Sequence, residues 1–405
     1  MASSRSLSSG PSARGTRVQG QKVLAIILAG GKGERLGMLT QGRAKPALTF
    51  AGTYRLIDFA LSNCVHSGLS DVWVVEEYEL HTLNDHLSNG RPWDLDRTHG
   101  GLQVLPPFSD AGEDGRFAHG NADALYLHRR LIRQYAPDVL LVLSADHVYT
   151  LDYRPVIQSH LERGAGVTLV TTSLPEGEDA SRFGVVTVDG AGRVTGFAYK
   201  PEQPNGQTVT TEIFVYDGPK LLALLEELHE KAGDHLGDFG HELLPAFVER
   251  GEAYAADLGG YWLDVGLPEA YWQAHQDVLQ GQSVTLDNPE WPILSSSIPR
   301  MPARIDDGAR VSGSLVSYGC RIGGTVKRSV LAPGVTVEAG AVVEDSVLLR
   351  DVTVRAGVKV RHAIIDEEAQ IDAHVGGGQK LTVVGARAHV QKVVKGGEEV
   401  GPGPE

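Results

Sequence analysis

Three short, unbroken apolar runs punctuate the first half of the chain: Leu24-Ala25-Ile26-Ile27-Leu28, Val72-Trp73-Val74-Val75 and Val139-Leu140-Leu141-Val142-Leu143. Each has the length of a strand. Apolar residues without polar alternation read as strands buried on both faces of a parallel sheet. Between the first two runs, Ile57, Ala60, Leu61, Cys64 and Val65 recur at helical spacing, and Gly68 stands where that helix should stop. Leu221 to His229 is amphipathic in the same way. Val185-Val186, Gly196 to Tyr199 and Glu212 to Tyr216 read as further strands that extend the sheet and make it mixed. This alternation predicts an α/β, Rossmann-like domain with a mixed, mostly parallel sheet over residues 21–282.

The pattern then changes. Residues 283–303 hold four prolines and a serine cluster, and we assign them to a linker. Beyond it, aliphatic residues recur every six positions, as in Ile305/Val311, Val335/Ala341/Val347, Val352/Val358/Ile364 and Ile365/Ile371, with Gly334, Gly340 and Gly357 at turns. A six-residue period predicts a left-handed parallel β-helix over 304–395, each hexad forming one side of a triangular coil. Residues 1–20, rich in Ser, Arg and Gly with no acidic side chain, read as a disordered tail; they lack the apolar core of a signal peptide. Residues 396–405 read as a second disordered tail.

Composition narrows the function classes. With 51 acidic against 37 basic residues, the net charge of −14 disfavours a nucleic-acid partner. The two cysteines, Cys64 and Cys320, suggest neither a disulfide framework nor a zinc site and fit a reducing cytoplasm. No apolar run approaches the roughly 20 residues of a membrane span.

Against this acidic average, the stretch after the first strand is cationic. Ala29-Gly30-Gly31-Lys32-Gly33-Glu34-Arg35-Leu36 sets three glycines around a lysine, and Arg43-Ala44-Lys45-Pro46 follows. Glycines permit a tight turn whose amides form a concave anion site, and the cations match a phosphate. The spacing is neither that of a P-loop nor that of a dinucleotide fingerprint. An ordinary tight connection is the plain alternative for the loop alone; with both cationic segments, a nucleoside triphosphate is the natural ligand. Asp146 falls at the carboxyl end of the third run, where it could hold Mg²⁺ or cap the next turn.

The glycine loop, Arg35 and Arg43-Ala44-Lys45-Pro46 together resemble the signature of the sugar-1-phosphate nucleotidyltransferases, in particular the glucose-1-phosphate adenylyltransferase family. Tyr54 to Cys64, Gly120-Asn121-Ala122-Asp123-Ala124, Asp238 to Pro245 and Tyr261 to Gly266 extend that resemblance over about residues 22–395. It implies that Arg35 stabilises leaving pyrophosphate and Lys45 meets the α-phosphate. Leu28, Ala29, Gly30, Gly31 and Gly33 would surround the nucleotide, with Glu77, Gly120, Asn121 and Asp123 near its base and ribose. Lys200, Thr210, Asp238 and Trp262 would bind the sugar phosphate, and Asp146 and Asp264 would carry Mg²⁺. The implied reaction makes ADP-glucose for glycogen or α-glucan synthesis in a homotetramer, with a small phosphorylated effector possible between the domains.

Several positions depart from the family pattern. Glu77 replaces a glutamine, so a base offering two donors, such as guanine, is an alternative to adenine. A merely solvated Glu77 is another. Phe117-Ala118 replaces Trp-Tyr, Tyr199 a glutamate, Glu212 a glycine and Leu263 an arginine, while Gly42 stands where some members place an effector-binding lysine. The remaining alternatives are another nucleotide or sugar, and a non-catalytic regulatory or binding paralogue.

Overall fold

The computed structural model describes residues 16–30, 33–77, 79–106, 118–233, 235–297 and 299–404. The three apolar runs form the centre of a ten-stranded sheet. Gln21–Ala29 lies between Asp71–Glu76 and Val139–Ser144 and is parallel to both; Ile26 is opposite Trp73 on one side and Val142 on the other. Gly101–Leu105 adds one parallel edge. On the other side Thr208–Asp217 runs antiparallel to Val139–Ser144, followed by the hairpin of Gly184–Val188 and Val194–Tyr199.

Alternate residues of the central strand feed two cores, which explains why no polar residue interrupts it. Val23, Ala25 and Ile27 pack with Ile57 and Leu61 of the Ile57–His66 helix. Leu24, Ile26 and Leu28 face the other way, in one cluster with Leu221 and Leu225 of the Gly218–Ala232 helix.

After the Pro268–Gln280 helix and a strand-free stretch, the chain winds into three parallel sheets of six, five and six strands, the left-handed β-helix. Ile322, Val337, Val354, Ile371 and Val390 stack as equivalent inward positions. Ile305 begins that stack at the open first coil and is 58% exposed. Gly334, at φ +83°, is required at its turn: a Cβ would lie 2.0 Å from Asp351 Oδ1. The domains share a cluster in which Leu36, Phe50 and Tyr271 meet Val330, Val347 and Ile364.

Both expected tails are shorter than the sequence suggests. Arg17–Val18 pairs with Gln21–Lys22 and Thr16 bonds Asp71, while Glu399–Val400 adds a last strand beside Thr382–Val384. In each case an existing strand edge supplies backbone partners that composition does not reveal. Residues 1–15 lie outside the described residues.

Candidate active site

Because Ala29 is opposite Glu76 and Leu28 opposite Ser144, the central strands end at one edge of the sheet. Ligands bind at such carboxyl ends in open α/β sheets. A cleft of about 370 Å³ opens there, lined by Leu28, Gly30, Glu77 and Asp146 from the strand ends and by Arg35 and Lys45 from the first loop. That loop turns at Gly33, in the left-handed region at φ +66°, and enters a 3-10 segment, Glu34–Thr40, kinked at Gly37. Thr40 Oγ1 donates to the Gly33 carbonyl at 2.9 Å, and a Cβ on Gly33 would lie 2.8 Å from Thr40 Cγ2. Gly31 and Lys32 lie outside the described residues.

The cationic segment and the two aspartates converge. Lys45 Nζ lies 2.6 Å from Asp146 Oδ2 and 3.4 Å from Asp264 Oδ1. Asp264 is carried in by Trp262–Asp264, antiparallel to His147–Tyr149. Burial pulls the Lys45 pKa down, but the two carboxylates outweigh it and hold the ammonium protonated. Burial likewise pushes Asp146 up, yet Lys45 and His147 bring it well below the usual carboxylate range. His147 Nδ1 lies 3.1 Å from the Thr211 carbonyl and 3.3 Å from Trp262 Nε1, and these contacts turn its Nε2 to within 3.5 Å of Asp146 and 3.7 Å of Asp264. Arg35 closes the group: a Cβ on Gly266 would sit 3.2 Å from Arg35 Nη2 and 3.0 Å from Asp264 Oδ2.

The far end of the cleft is built differently. Gly120 packs so closely on Gly237 that a Cβ would meet its carbonyl carbon at 2.4 Å. Asn121 N donates to Asp238 Oδ1 at 3.3 Å, and Tyr199 OH donates to Asp238 Oδ2 at 2.8 Å. Lys200 Nζ donates in turn to the Tyr199 oxygen at 2.7 Å. The Glu77 carboxyl lies against Gly30, where a Cβ would be 2.5 Å from it. Burial, then Asp238 and Asp123, push Glu77 up to about 7. Glu212 lines the cleft between the two ends, within electrostatic reach of His147, Asp146 and Asp264 as well as Lys200.

Several expected contacts are not made directly. Asp123 is fully buried and accepts from the amides of His119 and Leu236, so it braces two loops rather than facing the cleft. Thr210 and Ala29 are buried behind the lining, and Trp262 packs edge-on against His147. His119 and His147 are additions to the expected set, and Glu212, a departure from the family pattern, is part of the lining. The neighbour of a strand-end aspartate is a signal that could have found His147; nothing in the spacing marks His119.

Comparison with known proteins agrees with this architecture. Residues 24–281 match the family model described as nucleotidyl transferase, and residues 302–394 match the GlmU-like C-terminal hexapeptide model. The chain is 40% identical over 320 residues to a glucose-1-phosphate adenylyltransferase of Clostridium novyi (strain NT), covering 78% of this chain and 83% of that relative. A cleft that gathers two half-buried aspartates around a buried lysine, on a chain matching that model over most of its length, makes this protein a member of the nucleotidyl transferase family.

Proposed function

We propose that this protein transfers the adenylyl group of ATP to glucose 1-phosphate, giving ADP-glucose and pyrophosphate for glycogen or α-glucan synthesis. The observation that carries the reading is the meeting of Arg35, Lys45, Asp146 and Asp264 at one crevice. An oxygen of the sugar phosphate attacks the α-phosphorus, and the bond to the bridging oxygen breaks as pyrophosphate departs with the electron pair. The attacking oxygen is already anionic, so positioning and charge neutralisation carry the catalysis. Lys45 meets the α-phosphate, Arg35 the departing phosphates and Lys200 the incoming sugar phosphate. Asp146 and Asp264 suit Mg²⁺, which takes one or two carboxylates and completes its shell with phosphate oxygens and water. When bound, it neutralises phosphate charge.

Glu77 favours ATP in a way its residue type alone does not suggest. A carboxyl with a pKa of about 7 is substantially protonated near neutral pH and then both donates and accepts, as an amide does. Adenine needs that combination. The deprotonated form would suit guanine, the second reading. We further propose a cytoplasmic homotetramer with a phosphorylated effector in the cavity of about 360 Å³ between the domains, beside Arg43, Arg55 and Arg350.

Pyrophosphate release tests the function, measured with Mg²⁺ across a matrix of nucleoside triphosphates and hexose 1-phosphates. The expected maximum is ATP with glucose 1-phosphate. Silence across the matrix would favour a non-catalytic binding paralogue.

A further inference from the structure

Glu212 is held in a conformation that its contacts with the rest of the protein do not explain. It lies at φ +55°, in the left-handed region that a residue with a Cβ rarely adopts. The cause is local: between Thr210 and Phe214 the strand bulges, its partners jumping from Thr171 to Leu169. The bulge aims the side chain into the cleft. Among the described residues its carboxylate makes no hydrogen bond or ion pair, while its own amide donates to Thr210 Oγ1 at 3.3 Å. Strain combined with an unpartnered acceptor in a partly desolvated site marks a residue kept for a ligand.

The neighbouring groups narrow what that ligand is. Asp238 already receives Asn121 N and Tyr199 OH on its two oxygens, and the Tyr199 oxygen receives Lys200. Glu77 and Glu212 are therefore the acceptors left in the cleft among the described residues, and Glu212 is the one within electrostatic reach of Lys200. Lys200 lines the same cleft and calls for an anion. A ligand satisfying both carries a phosphate and several hydroxyl donors a few ångströms apart. The geometry points to Glu212 as the specificity-determining residue that reads the hexose, accepting hydrogen bonds from its hydroxyls while Lys200 holds the phosphate. This assignment rests on the sugar-phosphate reading above and adds to it the residue that selects the sugar.

The test is steady-state kinetics of wild type, Glu212→Gly and Glu212→Gln with glucose 1-phosphate and its singly deoxygenated analogues, at saturating ATP. Glu212→Gly is expected to raise KM for the sugar phosphate about ten-fold or more, leaving KM for ATP within about two-fold. It should also abolish the penalty that wild type shows for at least one deoxy analogue. Glu212→Gln, which keeps one acceptor oxygen, should fall between. Glycine suits the left-handed backbone, so Glu212→Gly should melt no lower than wild type, which separates sugar reading from lost structure. An unchanged or lower sugar KM with every deoxy penalty retained would make Glu212 a space filler and overturn the assignment. A wild-type preference for an amino-sugar 1-phosphate would overturn it too, by making the carboxylate an ammonium partner. Wild type inactive on every sugar phosphate would instead fell the parent reading, and this assignment with it.

Discussion

The two ends of the cleft solve opposite problems. Where the triphosphate is expected, Lys45 is clasped by Asp146 and Asp264, and His147 is aimed at the same pair by the Thr211 carbonyl and Trp262. Charges are matched there before any ligand arrives. Away from that group, Glu77, Asp238 and Glu212 outnumber Lys200, and neither the Glu77 nor the Glu212 carboxyl has a hydrogen-bond or ion-pair partner among the described residues. A matched end suits chemistry that is the same for every substrate, because preorganised charge needs no rearrangement at the transition state. An unmatched end suits selection, because a buried polar group left unpaired by the wrong ligand penalises that ligand.

The largest effect should come from the matched end. Asp146→Asn is expected to lower kcat by about a thousand-fold or more with an unchanged circular dichroism spectrum; near-normal turnover would place the essential carboxylate elsewhere. Lys45→Met leaves two half-buried carboxylates facing each other and should cost about 2 kcal/mol in chemical denaturation, less than for a fully buried pair. Adding Asp146→Asn to it should return part of that stability, since one of the uncompensated charges is then gone. Simple additivity of the two losses would deny the clasp.

At the selective end the signature is pH. If protonated Glu77 donates to adenine, kcat/KM for ATP should be high below about pH 7 and fall about ten-fold per unit above it, as the donor is lost. Glu77→Gln should flatten that profile and favour ATP over GTP. An unchanged nucleotide preference in this variant would leave Glu77 no part in reading the base. The smallest effect should come from outside the cleft. Arg43, two residues before Lys45, is bound by both carboxylate oxygens of the fully buried Asp366 of the β-helix, at 2.7 and 2.8 Å. Asp366→Asn is expected to reduce turnover a few-fold and to lower the melting temperature, linking the β-helix to the reactive lysine; identical kinetics and melting would separate the two domains.

The relation of sequence to structure follows the same division. The buried strands, the helix before Gly68 and the coil repeat were legible because each is a periodicity imposed by one face of one element. The nearness of Lys45 to Asp264 was reachable only through resemblance, since Asp264 comes from a strand more than two hundred residues downstream of Lys45. Asp123 illustrates the converse. Its motif suggested a ligand contact, but packing turned it toward two loop amides. The strand ends hidden in the expected tails were invisible because backbone pairing leaves little trace in composition.

What the sequence determined by itself is the order of elements, the two domains and the sites of concentrated charge, because each depends on residues close together in the chain. Which charges are neutralised and which remain open to a ligand was decided by tertiary structure alone. Coulombic and hydrogen-bond partners are chosen by distance in space, and the bulge that turns Glu212 into the cleft exists only where two strands fall out of register.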